Sequence, residues 1–233
     1  MNVLAMDTSG PVAGVALMRA GEIVHEITAK HGLTHSQTLM PMVDQALEAA
    51  SLTPTQIDLF AVVAGPGSFT GVRIGVCAAR AMAHATGRKL ASVNALEALA
   101  ANAFGFDGVI CPVLDARRNQ VYGAAFEFRS GFAPVRLMED AALSLDDYLD
   151  ALPDANRYLF LGDALSAHAE VFTRRLGGRA VIAPAHIAHL RAASACYLAA
   201  LRAEDDGDYR LVKPIYLRKP QAEREREACA GGG

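Results

Sequence analysis

The sequence predicts an α/β protein built from two similar lobes with mixed sheets. Three short strand-like runs, followed by alternating helix-like and strand-like segments, occur twice along the chain. The duplication extends to detail, because Asp7 precedes the run VAGVA and Asp115 precedes the run VYGAA. An apolar fraction of 52% with 20% charged residues is typical of a chain with a substantial core. These observations indicate two packed lobes with a cleft between them.

The first half begins with a three-stranded meander and continues with helices and strands in alternation. Alternating apolar positions predict the strands, and apolar residues three or four positions apart predict the helices. Gly87 follows the second helix and is expected to end it. The predicted strands are 3–7, 12–17, 22–27, 57–64 and 89–93, and the predicted helices are 34–51 and 69–86.

The second half repeats this order with different spacing. A turn at Ser130-Gly131 separates the second and third strands of its meander. The charged stretch that ends in Gly-Gly-Gly, residues 221–233, is expected to be a disordered tail. The predicted strands are 109–115, 121–126, 134–138 and 158–161, and the predicted helices are 145–152, 164–176 and 187–202.

The stretch AGPGSFTGVRIG, residues 64–75, lies between a predicted strand and a predicted helix. A strand, a glycine turn and a helix start together form an anion site when the backbone N–H groups are free. Neither standard spacing fits, since Thr70 stands where the Walker and dinucleotide patterns require glycine, and no lysine follows. The alternative is a tight strand-to-helix turn with Ser68 as the N-cap.

Composition argues against several classes of protein. No apolar stretch approaches the ~18 to 20 residues that a membrane helix needs. The first residues have no basic region and reach Asp7 at once, which is not typical of a signal peptide. The net charge of −3 gives no overall attraction for nucleic acid, so a role near RNA would need a partner or a local patch. We therefore expect a cytoplasmic protein without membrane association. The cysteines have no CxxC spacing and fit reduced thiols: Cys77, Cys111, Cys196 and Cys229.

Four motifs, in this order, resemble the bacterial TsaB (YeaZ) family. They are Asp7-Thr-Ser9, the glycine loop with its helix, Ser92-Val-Asn-Ala-Leu-Glu97 and Pro214-Ile-Tyr-Leu-Arg218. The resemblance implies an actin-like, sugar-kinase-like (ASKHA) fold of two ribonuclease-H-like lobes, residues 1–105 and 106–220. It also implies a role in forming threonylcarbamoyladenosine beside the tRNA anticodon. In that role the chain would be the noncatalytic partner of the transferase TsaD, with the ATPase TsaE as a third component, and it would reach tRNA through the complex.

The resemblance further implies that this chain lacks the chemistry of TsaD. The His-x-x-x-His metal pair of that paralogue falls on Ala95 and Leu99, whose side chains offer no lone pair to a metal. The side chains of the Ala-Arg-Arg run after Asp115 would crowd a phosphate that approaches the backbone, and Asp163 brings a carboxylate to the place where an adenosine would pack. We expect no catalytic residue, no metal and no cofactor of its own, with weak ATP or ADP binding left open within the complex. The vestigial phosphate loop comprises Asp7, Thr8, Ser9, Gly65, Gly67, Ser68 and Asp115.

Two N-terminal helices are expected to bind the partner. Their apolar residues cover more than the single stripe that a helix needs to lie on a sheet, and Met40 and Met42 suit an adaptable contact. Gly71, Gly75 and Ala79 recur every four residues, which lets another backbone approach. The resemblance implies that these helices pair with their equivalents in a second copy, as a homodimer, or in TsaD. The predicted interface is Leu39, Met42, Val43, Ala46, Val72, Arg73, Val76, Ala79 and Arg80.

Two alternative functions stay open. An ATP-dependent kinase or ATPase of the same fold would use the glycine loop, and a metallopeptidase would need histidine ligands. His25 begins a HExxH-like stretch, but Ala29 replaces the second histidine. A direct contact of Arg117 and Arg118 with tRNA is a further hypothesis. The remaining histidine pairs lack a helical context or a third ligand nearby: His31 with His35, and His186 with His189.

Overall fold

The computed structural model describes residues 1–30, 34–203 and 207–218. Within these residues the chain forms strands, α-helices and two short 3-10 helices at Pro54–Gln56 and Gly177–Arg179. The strands are β1 (Asn2–Asp7), β2 (Ala13–Arg19), β3 (Glu22–Ala29), β4 (Leu59–Gly65), β5 (Lys89–Asn94), β6 (Val109–Asp115), β7 (Gln120–Glu127), β8 (Val135–Ser144), β9 (Tyr158–Leu161) and β10 (Ala180–Ile182). The α-helices are α1 (His35–Ala49), α2 (Phe69–Thr86), α3 (Ala95–Ala101), α4 (Leu145–Ala151), α5 (Leu165–Leu176) and α6 (Ala192–Leu201).

The two sheets of the described chain share one topology. The first has five strands in the order β3-β2-β1-β4-β5. The second also has five strands, and read from the matching edge its order is β8-β7-β6-β9-β10. In the first, β1 pairs antiparallel with β2 and parallel with β4. In the second, β6 pairs antiparallel with β7 and parallel with β9. The duplicated order confirms the prediction of two related units with mixed sheets.

The helices form three layers around the two sheets. Helices α1 and α2 cover the outer face of the first sheet, where they bury apolar side chains of β1, β2 and β4. Helices α3 and α6 lie between the sheets and share a core with both of them. Helices α4 and α5 cover the outer face of the second sheet. The cleft mouth lies where β1, β4, β6 and β9 end, at one edge of this stack.

Several elements differ from the sequence predictions, and strand β10 was not predicted at all. Helix α3 was not predicted, because its seven residues are almost all buried and apolar and show no amphipathic period; the Asn94 side chain caps it by accepting from Glu97 N at 3.0 Å. Strand β8 extends to Ser144, beyond the predicted end at 138. Helix α6 begins at Ala192 rather than 187, because the Asn102 side chain donates to the carbonyls of Ile187 and His189 and holds that segment outside the helix.

The described C-terminal part of the chain returns to the first lobe. In α6 the Cys196 thiol points at the carbonyls of Val3 and Ala16, and further on Ile215 N donates to Ala64 O at 2.7 Å. The lobe boundaries predicted from sequence, 1–105 and 106–220, therefore stay a prediction, since the second range includes a segment that packs on the first sheet. The predicted tail 221–233 lies outside the described residues. No helix within the described ranges is long and apolar enough to cross a membrane.

Candidate functional site

The candidate site is a cavity of about 970 Å³ between the two lobes, at the ends of their central strands. Ligands of open α/β folds bind at this position, where the carboxyl ends of parallel strands meet. The first lobe contributes the segment after β1 and the glycine loop, and the second lobe contributes the β6–β7 turn and the turn after β9. Its lining includes Ser9, Gly10, Lys30, Gly67, Ser68, Phe69, Asp115, Arg117, Arg118, Tyr122, Asp163, His189, Tyr216 and Arg218.

The first wall of the cavity is closed by the chain's own hydrogen bonds. Ser68 N donates to Ser9 O at 2.7 Å, so one amide of the glycine loop already has an acceptor. Thr8 Oγ1 donates to Gly71 O at 2.7 Å, and Ser9 N donates to Asp7 Oδ1 at 2.8 Å. Ser68 Oγ accepts from Gly71 N at 3.3 Å, which confirms Ser68 as the N-cap of α2.

The glycines of this wall let the chain approach itself. A Cβ on Gly65 would lie 2.6 Å from Ile215 O, and one on Gly75 would lie 2.6 Å from Thr8 Oγ1. A Cβ on Gly67 or Gly71 would meet the backbone oxygen of Ser9 or Thr8 even more closely. The prediction that Gly71 and Gly75 allow a close approach is met by the chain's own segment after β1, which occupies that space.

Asp7 is buried beneath the first wall, at the end of β1. Burial raises the pKa of its carboxyl to about 6, although the hydrogen bonds from Ser9 and the charge of His35 act in the opposite direction. His35 in turn makes a hydrogen bond between its Nε2 and Gly10 O at 2.8 Å. Asp7 and Thr8 thus support the wall from below, while Ser9, Gly67 and Ser68 reach the cavity.

The second wall carries exposed charged side chains. Asp115 N donates to Asp163 Oδ1 at 2.8 Å, and Arg117 N donates to Asp115 Oδ1 at 2.7 Å. Arg117 and Arg118 both have positive φ, 62° and 55°, in the turn between β6 and β7, and both line the cavity. The sequence analysis placed these arginines and Asp163 where they would crowd a nucleotide, and the structure places all three at the cleft.

Two titratable groups on this wall have shifted pKa values. Burial raises the pKa of the Asp163 carboxyl, and the neighbouring Asp115 acts in the same direction, whereas the amide of Asp115 and His189 oppose it. Burial lowers the pKa of His189, and the charge of Lys30 adds to that effect. Both shifts favour the neutral forms of these groups.

The two residues onto which the family resemblance was expected to place the metal pair of TsaD lie in the core. Ala95 and Leu99 are fully buried on α3. Glu97 forms a two-point ion pair with Arg202, with Arg202 Nη1 donating to Glu97 Oε2 at 3.0 Å. Within the described residues no cluster of three His, Cys, Asp or Glu side chains is arranged to hold a metal ion.

The other histidines noted in the sequence are not brought together into a metal site in the described residues either. His25 lies on β3, where neighbouring side chains point to opposite faces of the sheet, so the HExxH-like stretch is not helical. His189 lines the cleft, whereas His186 is exposed on the segment before α6. His31 lies outside the described residues.

The apolar residues of the predicted partner interface face the interior of the first lobe, which corrects that prediction. They lie against β1, β2 and β4, and none is more than 6% exposed. Their packing explains why both helices are rich in apolar residues, since each helix covers the first sheet. They are Leu39, Met42, Val43, Ala46, Val72, Val76 and Ala79. The two polar members differ: Arg73 is exposed and donates from Nε to Tyr216 Oη at 2.8 Å, and Arg80 is half-buried.

The surface that α1 and α2 present to solvent was anticipated from the sequence only at Met40, and its other members were not predicted as contacts. Here we call it the outward face, and we define it as Met40 and Pro41 on α1 with Cys77, Ala81 and Ala85 on α2, all exposed. Ile74 and Ala78 lie half-buried beside it. The four-residue spacing of the α2 members is a signal that the sequence contains, but the spacing alone does not separate it from the inward stripe.

The chain is similar in sequence and in structure to one group of proteins. The family model described as "TsaD: tRNA N6-adenosine threonylcarbamoyltransferase" matches residues 17–226. The chain is 34% identical over 224 residues to the tRNA threonylcarbamoyladenosine biosynthesis protein TsaB from Bacillus subtilis, which covers 96% of each protein. The solved structure "YeaZ from Pseudomonas aeruginosa" is 28% identical, has a TM-score of 0.78, and covers 93% of this chain and 99% of that chain.

A more distant solved structure shows the fold alone. The activator of the 2-hydroxyisocaproyl-CoA dehydratase from Clostridium difficile, solved with bound ADPNP, is 11% identical with a TM-score of 0.50, over 88% of this chain and 97% of that chain. Together with the two mixed sheets, these likenesses confirm the predicted actin-like, sugar-kinase-like (ASKHA) fold.

Proposed function

This chain belongs to the TsaB (YeaZ) family, and from that premise we propose that it acts in tRNA threonylcarbamoyladenosine biosynthesis as the noncatalytic partner of a TsaD-type transferase. The observation that carries the noncatalytic role is the closed first wall of the cleft. Ser68 N, an amide that an anion at the glycine loop would need, already donates to Ser9 O, and the backbone of Ile215 packs against Gly65 at the start of the loop. The chain thus keeps the architecture of the transferase family, while its own backbone occupies part of the anion site at the glycine loop.

We propose the outward face as the surface that binds the partner. Cys77, Ala81 and Ala85 are small and follow one another at a four-residue spacing, so a second helix can approach α2 closely. Met40 adds an adaptable apolar side chain from α1, and helix α1 itself packs beside α2. Two helices from each chain would then form a four-helix contact. The same face would serve a homodimer when the chain is alone and the TsaD heterodimer when the transferase is present.

Arg73 supports this contact from its rim. Its guanidinium lies 3.7 Å from the centroid of the Phe69 ring and donates to Tyr216 Oη, so the side chain is held in one orientation. An oriented arginine at a rim suits a carboxylate on the partner, which would set the register of the helices.

The remaining partners follow from the same role. TsaE would be the third component, and tRNA would be reached through the assembled complex in the cytoplasm. The chain would carry no cofactor of its own, with weak ATP or ADP binding confined to the complex. A kinase or ATPase function is the second candidate, favoured by the large cavity between the lobes. Calorimetry of the chain with Mg-ATP separates the two, since micromolar binding with turnover supports only the second.

The decisive experiment is threonylcarbamoyl transfer to tRNA from the activated adenylate. The reaction is run with this chain alone, with its organism's TsaD and TsaE, and with all three proteins together. Activity in the complete mixture alone is the expected result. Transfer by the chain alone would overturn the noncatalytic role, and full transfer by TsaD and TsaE without the chain would overturn the partner role.

A further inference from the structure

The mouth of the cleft is more basic than the rest of the chain. Among the residues that the structure describes, the cations that line it are Lys30, Arg117, Arg118 and Arg218, and the carboxylates are Asp115 and Asp163. The whole chain has a net charge of −3, so positive charge is concentrated here against the overall balance. Such a local concentration attracts polyanions even when the net charge does not.

Two of the arginines of this rim, Arg117 and Arg118, are exposed to solvent, and Arg218 is half-buried. The side chain of Arg117 is 87% exposed, and its ion pair with Asp115 is long, at 3.4 Å. Within the described residues, Arg118 has no carboxylate within salt-bridge distance. Arg218 is held at the same rim, because its Nη1 donates to Ala116 O at 2.8 Å. Cations that are exposed and only weakly paired are available to a phosphate backbone.

Aromatic rings lie among these cations. Phe69, Tyr122 and Tyr216 line the same cavity, and the rings of Phe69 and Tyr216 are 5.0 Å apart. Tyr216 is 39% exposed, so part of its ring is open to a ligand. Exposed aromatic rings between basic side chains are how proteins bind unpaired bases, which stack on the rings while the cations contact the phosphates.

The first wall favours an extended ligand over a compact one. A mononucleotide triphosphate needs converging backbone amides, and at this loop Ser68 N is bonded to Ser9 O. The cations on the second wall are instead side chains spread along a rim. We propose that the mouth of this cleft binds unpaired nucleotides of the tRNA substrate, with Arg117 and Arg118 contacting phosphates and Tyr216 stacking on a base. The inference rests on the proposed function, which supplies tRNA as the substrate of the complex.

The test measures binding of a fluorescently labelled anticodon stem-loop RNA to the mixture of this chain, TsaD and TsaE across a range of salt concentrations. The variant Arg117→Glu/Arg118→Glu is compared with Arg19→Glu/Arg174→Glu, which changes the net charge equally through exposed arginines that do not line the cleft. We expect the cleft variant to bind at least tenfold more weakly. For this variant, the slope of the logarithm of the binding constant against the logarithm of the salt concentration is expected to be shallower by about 1.4. Each single-strand phosphate contact contributes about 0.7 to that slope, and two contacts are removed.

The outcomes separate this inference from the proposed function. Equal losses in both double variants would attribute the effect to net charge and overturn the inference, as would unchanged binding by the cleft variant. Competition of Mg-ATP with the RNA at micromolar concentration, abolished by the cleft variant, would make the cleft a mononucleotide site and also overturn it. A wild-type mixture that binds RNA normally but transfers nothing would overturn the proposed function and leave the inference standing.

A second pair of variants tests the aromatic contact. Tyr216→Phe keeps the ring and removes only the hydroxyl that accepts from Arg73, whereas Tyr216→Ala removes the ring. Loss of one stacked base is expected to weaken RNA binding about fivefold or more in Tyr216→Ala without changing the salt slope. Equal affinities for the two variants would overturn the stacking role.

Discussion

The two faces of helix α2 have similar composition and opposite surroundings. Val76 and Ala79 are 2% and 0% exposed against the first sheet, whereas Cys77 and Ala81 are open to solvent. The α2 members of the outward face are small and apolar like the covered residues, although Arg73 and His84 are exposed on the same helix, so hydrophobicity at Cys77, Ala81 and Ala85 does not tell which stripe is covered. The apolar excess of the N-terminal helices thus divides into a stripe that builds the core and a stripe that is free to bind another protein.

The largest expected effect is on the covered face. Val76→Glu places a charge among β1 and β4 side chains with no partner, and we expect a loss of more than about 4 kcal/mol in the free energy of unfolding. Urea denaturation followed by circular dichroism measures it. Wild-type stability in this variant would show that Val76 faces outward after all.

A smaller effect on the same face comes from a single methyl group. Gly71→Ala drives a Cβ into the carbonyl oxygen of Thr8, and because that atom belongs to the backbone it cannot move aside freely. We expect a loss of about 3 kcal/mol in the free energy of unfolding. Gly10→Ala is the matched control, since nothing lies within 4 Å of the added Cβ, and a shift beyond about 0.5 kcal/mol is not expected there. Similar losses in both variants would contradict the close-approach explanation.

The pH dependence of the free energy of unfolding tests whether the Asp7 carboxyl is shielded from water in the folded chain. Its pKa is raised from 3.8 to about 6 by burial, so the folded chain binds this proton more tightly than the unfolded chain does. The resulting stabilisation is complete below about pH 4 and is lost as the pH rises through about 6. Asp7→Asn should therefore be more stable than the wild type at pH 7, by up to about 3 kcal/mol, and should lose this advantage at pH 4.

The measurement is urea denaturation of both proteins at the two pH values. Asp44→Asn, on the exposed side of α1, serves as the control and should follow the wild type at both. The same difference between Asp7→Asn and the wild type at pH 4 and pH 7 would contradict the burial argument.

A substitution on the outward face is expected to have the smallest effect on the free energy of unfolding and the largest effect on complex formation. Ala81→Glu adds an exposed charge, and we expect the free energy of unfolding to change by no more than about 0.5 kcal/mol. At a helix–helix contact the same charge would be desolvated, so co-purification with TsaD should be lost. Glu48→Ala, on the solvent side of α1, removes a charge outside the outward face as a control. A normal complex with Ala81→Glu would exclude this face as the partner surface.

Local sequence was enough for most of the fold. The bounds predicted for α2, 69–86, and for β9, 158–161, agree with the structure, because caps and turn residues such as Ser68 and Gly87 act on their own neighbours in the chain. The duplicated meander likewise predicted two related mixed α/β units, and the structure shows two sheets of matching strand order. Helix α3 was not predicted, because a helix that is buried on all sides has no polar face and its sequence therefore shows no amphipathic period.

What only the tertiary structure decided is which surfaces meet. The inward side of α2, the approach of Thr8 to Gly71 and the return of α6 to the first sheet are contacts between residues far apart in the chain. A helix that is small and apolar on both sides satisfies the same periodicity in either orientation, so its sequence leaves the choice open. Likewise the sequence shows Arg117 and Arg118 only as two charges in a turn, and the tertiary structure brings them into one cavity with Tyr216.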